Sequence, residues 1–132
     1  MNIPLLKKIQ KHIKEEPRRL NMDDWILRKD EFIQNKKQLA YVLSRKIKDI
    51  PKCGTVCCIA GWADVLSGNG QFSYNRAKTI LNLTSDQASQ LFFVGGWPKE
   101  FRSEFESTLN LKKRANITVN RITHFIKTGG KE

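Results

Sequence analysis

Residues 53–66 read Cys53-Gly54-Thr55-Val56-Cys57-Cys58-Ile59-Ala60-Gly61-Trp62-Ala63-Asp64-Val65-Leu66, a run in which Asp64 is the one charged side chain. Thr55 offers a hydroxyl N-cap, and the next break is the turn Ser67-Gly68-Asn69-Gly70. A helix that is apolar nearly all round is buried on most sides. The stretch therefore predicts a central buried helix over about Val56–Leu66. Glycine inside a helix costs roughly 1 kcal/mol relative to alanine, so Gly61 predicts close approach of another backbone. Asp64, alone among apolar neighbours, must find a hydrogen bond or a basic partner if it is buried.

The distribution of charge supports this centre. The chain of 132 residues carries 24 Lys+Arg against 13 Asp+Glu, a formal net of +11. Residues 1–52 have a net of +7, residues 53–97 a net of zero with only four formal charges, and residues 98–132 a net of +4. The middle stretch is too poor in charge to be mostly solvated surface, so it reads as a core wrapped by basic terminal segments. Hydrophobic residues make up 39% of the chain and charged residues 28%, a globular composition. No apolar run approaches the ~20 residues of a membrane span. Met1 to Lys8 meets charge too early to hold a signal-peptide core, and three cysteines do not make a disulfide scaffold. A cytoplasmic protein without a membrane partner is the expectation.

Working outward, Leu5, Leu6, Ile9 and Ile13 recur at helical spacing, Pro4 suits the first turn and Pro17 ends the helix. Asp23-Asp24 before Trp25-Ile26-Leu27 suits a helix start or a short extended piece. Asp30 to Ile50 carries a helical period that is close after Leu39, and Pro51 stops it. Asn75 to Leu83 forms a short helix with Ala77, Ile80 and Leu81 inward. Thr84-Ser85-Asp86-Gln87 is a capping box, after which Ala88, Leu91 and Phe92 face the core. Trp97-Pro98 opens a helix with Phe101, Phe105 and Leu109 at i, i+4 and i+8. Ala115, Val119, Ile122, Phe125 and Ile126 define the last helix, stopped by Gly129-Gly130. No stretch alternates with period two. The expectation is all-α: one domain over 1–132, about six or seven helices around Val56–Leu66, with 28–52 an elaboration on a 53–128 core.

Four segments occur together in order: Cys53-Gly54-Thr55 with Cys58-Ile59-Ala60-Gly61-Trp62-Ala63; Leu83-Thr84 with Gln87-Ala88 and Leu91-Phe92; Trp97-Pro98 with Phe101; and Arg121-Ile122 with Phe125-Ile126. Their order resembles a family of small, largely uncharacterised proteins of cyanobacteria, other bacteria and phages. The resemblance implies an intact domain over roughly 53–128 and transfers no catalytic residue.

The cysteines allow two chemistries, thiol reactivity and metal binding. Cys57 and Cys58 in a first helical turn would feel a partial positive charge that lowers a thiol pKa. Cys53, Cys57 and Cys58 thus form the alternative thiol site of an enzyme or redox protein, although His12 and His124 are the only imidazoles and both are distant in sequence. The bland reading, small hydrophobes on a buried helix, outweighs it. Three thiolates fall short of the usual four structural zinc ligands, and adjacent helical residues diverge by about 100°. No metal, cofactor or catalytic residue is expected, and the chain leans away from being an enzyme.

The basic shell is the strongest surface signal. Lys37, Tyr41, Arg45, Lys48 and Lys52 fall at offsets 0, 4, 8, 11 and 15, a continuous stripe on a helix. Lys7, Lys11 and Lys14 form a shorter one, and Lys112, Lys113 and Arg114 cluster at a helix start, where cations oppose the helix dipole. Such stripes can follow a phosphate backbone, with Tyr41 stacking. The expectation is a binding module for nucleic acid, with an acidic protein surface as the alternative partner.

Overall fold

A computed structural model describes residues 1–17, 20, 22, 26–28, 55–67 and 74–131. Its first helix, α1 (Ile3–Glu15), begins because the Asn2 side chain accepts the Leu5 N–H at 3.2 Å, with Pro4 in the first turn. Leu6, Ile9 and Ile13 are fully buried and Leu5 nearly so, while Lys7, Lys8, Lys11 and Lys14 stand in solvent. A short antiparallel ribbon follows, pairing β1 (Ile26–Arg28) with β2 (Thr55–Cys57) in the register Ile26↔Cys57, Leu27↔Val56, Arg28↔Thr55.

The helices α2 (Ile59–Leu66), α3 (Tyr74–Ile80), α4 (Ser85–Phe92), α5 (Lys99–Glu106) and α6 (Leu111–Thr128) complete an all-α bundle of six helices among the described residues, with a 3₁₀ turn at Val94–Gly96. The centre is α2, as its sequence requires: every residue from Ile59 to Asp64 is buried, and α1, α3 and α4 pack around it. On its other side α1 lies along α6, which also carries α5.

The start of the central helix differs from expectation. Thr55 is not its N-cap, and Val56 and Cys57 are not helical. These three residues are taken by the strand pairing, which suits extended Thr and Val. The helix starts three residues later. Cys58 is its N-cap in an extended conformation, and its sulfur accepts the Gly61 N–H at 3.4 Å. Strands of three residues are too short to show a period of two, so nothing in the alternation announced them. Of the two readings of Trp25-Ile26-Leu27, the extended one holds from Ile26 on. Leu109 is the second correction. It lies past the end of α5 and is 85% exposed, because Ser107 ends the helix before its third apolar position.

The capping box forms as read: Thr84 Oγ1 accepts the Gln87 N–H at 3.2 Å and Gln87 Oε1 accepts the Thr84 N–H at 2.9 Å. Gln87 Nε2 also donates to the Gly129 carbonyl. That carbonyl belongs to the C-terminal cap of α6, where Gly129 and Gly130 both have positive φ (64° and 75°) and their N–H groups return to Ile126 and Phe125. One glutamine therefore ties the start of α4 to the end of α6. Thr84→Ala removes one arm of this device, and we expect a loss of about 1 kcal/mol, read as a midpoint shift in urea at unchanged slope.

Candidate nucleic-acid interface

The seam between α1 and α6 is held by one amide. Gln10 Nε2 on α1 donates to the Val119 carbonyl and to Thr123 Oγ1 on α6, both at 2.8 Å. These contacts fix which helix faces border the seam. At 100° per residue, Lys14, Lys7 and Lys11 follow Gln10 toward the solvent side of α1, while Leu6 and Ile13 turn the other way into the core. On α6 the same geometry sets Lys112, Asn116 and Lys127 within about 40° of Thr123, with Asn120 and Lys113 just beyond. All five of these α6 side chains are exposed.

The electrostatics of this surface are one-sided. Helix α6 contains no acidic residue, and α1 contains only Glu15, which sits at its end and pairs with Lys11 at 3.9 Å. Both partners of that pair are largely exposed, so it screens little. By contrast α5 carries Glu100, Glu104 and Glu106 beside Lys99 and Arg102. Positive charge is thus gathered along the α1–α6 seam. Lys112 and Lys113 occupy the first turn of α6, capped by the Asn110 side chain, where their charge works against the helix dipole.

The residues singled out from sequence divide three ways. Lys112 and Lys113 stand free on this surface, whereas Arg114 is built into the fold. Arg114 Nε donates to the Thr108 carbonyl at 2.6 Å and its guanidinium lies 4.4 Å from the Phe105 ring centre. Lys37, Tyr41, Arg45, Lys48 and Lys52 lie outside the described residues, as does Cys53. Of the thiols, Cys58 is buried, 5% exposed, and serves as the helix cap, and Cys57 lies in β2 rather than in a helical turn. The dipole argument for its pKa therefore falls. Among the described residues no group of three His, Cys, Asp or Glu side chains is placed to hold a metal ion, and no helix is long and apolar enough to cross a membrane. Asp64 has found a basic partner, with Arg76 Nε 3.3 Å from its Oδ1.

Lys127 was not singled out from the sequence, nor were Asn116, Asn120 and Thr123. Their signal is nevertheless there: Lys112, Asn116, Thr123 and Lys127 fall at offsets 0, 4, 11 and 15, nearly the spacing of the stripe that starts at Lys37.

The four sequence segments around Cys58–Ala63, Leu83–Phe92, Trp97–Phe101 and Arg121–Ile126 contribute mainly interior residues. Ala60, Trp62 and Ala63, Ala88, Leu91 and Phe92, Trp97, and Arg121, Ile122 and Phe125 are all buried. Two of them cap the C-terminus of α4, whose last carbonyls have no partner within the helix. Trp97 Nε1 donates to the Leu91 carbonyl at 2.9 Å, and Arg121 Nη2 donates to that of Gln90 at 3.0 Å. No family model, curated protein or solved structure matches this chain.

Proposed function

We propose that this chain is a non-enzymatic module that binds nucleic acid through its phosphates. The observation that carries this reading is the α1–α6 surface: Lys7, Lys11, Lys14, Lys112, Lys113 and Lys127 are exposed on two packed helices that hold one carboxylate between them. A net charge of +11 on 132 residues exceeds what solubility asks of a small domain, for which about 2–8 suffices. The basic stripe of Lys37, Arg45, Lys48 and Lys52 with Tyr41, read from sequence spacing, would add contacts of the same kind.

The test is the salt dependence of binding. Each phosphate contact contributes about 0.9 to the slope of log affinity against log salt, so six contacts predict roughly a thousandfold loss between 50 and 200 mM salt. Fluorescence anisotropy with a labelled 20-mer duplex measures it. Affinity that is absent at low salt, or indifferent to salt, refutes the reading. Retention of an acidic protein after nuclease treatment, with no binding to the 20-mer, would favour the protein-partner alternative.

A further inference from the structure

Resting on that reading, we infer that the α1–α6 surface takes the backbone of double-stranded nucleic acid, without reading its sequence, rather than a single strand. Single-strand binders combine a positively charged groove with exposed aromatic rings on which bases stack. Among the described residues, neither α1 nor α6 presents an exposed aromatic ring, and the Gln10 amide bridges the seam between them. Every ring on the two helices is engaged inward: His12 packs edge-on against Trp62 at 4.2 Å between centres, His124 lies 5.3 Å from Phe101, and Phe125 is fully buried. The exposed ring among the described residues, Phe93, follows α4 and stacks on Tyr74 of α3.

What the surface does offer is two rows of lysines on neighbouring helices. Packed helices run about 8–10 Å apart, and the α6 row from Lys112 to Lys127 extends about 22 Å at 1.5 Å per residue. A duplex presents phosphates in two fixed rows across grooves about 6 and 12 Å wide, a spacing that flexible lysine side chains on both sides of the seam can reach. Asn116 and Asn120 are exposed within the α6 row and are short donors suited to phosphate oxygens. The bidentate arginine that most often reads guanine is missing from both rows. Arg114 is held by Thr108 and Phe105, and Arg121 is fully buried.

The experiment compares a 20-bp DNA duplex, a 20-bp RNA duplex and the separated strands of each, all by anisotropy at one salt concentration with the full chain. Binding to a duplex at least about tenfold tighter than to its own strands supports the inference, as does a change of under about threefold when the duplex sequence is scrambled. The variant carrying Lys7→Gln, Lys14→Gln, Lys112→Gln and Lys127→Gln should lower the salt slope by about four and abolish the duplex preference. Its helical circular dichroism should match that of the parent. Strands that bind as tightly as duplexes overturn this inference and leave the phosphate-binding reading standing, and a duplex preference that survives the quadruple variant also overturns it. Absence of binding to every probe at low salt overturns both.

Discussion

Replacing Arg121 by alanine should destabilise the protein by about 3–5 kcal/mol, while replacing it by methionine should destabilise it far less. Arg121 has no accessible surface. Its guanidinium donates to the Gln90 carbonyl and lies 5.5 and 5.9 Å from the ring centres of Phe125 and Phe101. Alanine empties the volume of a long side chain and strips the end of α4 of a donor, so a cavity and an unsatisfied carbonyl add together. Methionine refills most of that volume but leaves the Gln90 carbonyl equally without this donor, so the difference between the two variants reads the cavity contribution. Urea denaturation of the two variants, compared at equal slope, measures the difference. An alanine variant that loses less than about 1 kcal/mol would show that Arg121 is not a structural cap.

The second large effect is expected at Arg76. Asp64 is fully buried on α2, and the Arg76 side chain that pairs with it from α3 keeps 29% of its accessible surface. Arg76→Ala leaves the carboxylate in the core without this cation, a situation that costs about 3 kcal/mol, the lower end for a broken buried pair because the arginine is partly solvated. Asp64→Asn introduced into that variant removes the stranded charge and should restore part of the loss. A thermal-melt double-mutant cycle isolates the coupling. If the double variant is as unstable as the sum of the singles, the pair is not coupled and the proximity is incidental.

Arg121 and Trp97 stand next to Ile122 and Pro98 in the sequence. In the fold they turn inward and satisfy the carbonyls that end α4. A polar residue in an apolar helical stripe has two destinations, solvent or a buried partner, and local spacing does not distinguish them. Arg114 belongs to the same class: the basic triplet predicted three free cations, and the loop carbonyl of Thr108 and the ring of Phe105 withdrew one of them.

The amphipathic first helix, the capping box at Thr84, the glycine stop after Thr128 and the segregation of charge away from residues 53–97 were all legible in the chain, because each is set within a turn or two of backbone or by composition. Tertiary structure alone decided where the central helix begins, since strand pairing with Ile26–Arg28 withdraws Thr55–Cys57 from it. It also decided which lysines share a surface. Gln10 meets Val119 across 109 positions of sequence, and contacts at that separation leave no period to read: they arise only when the apolar faces of two helices are buried against each other and carry their solvent faces side by side.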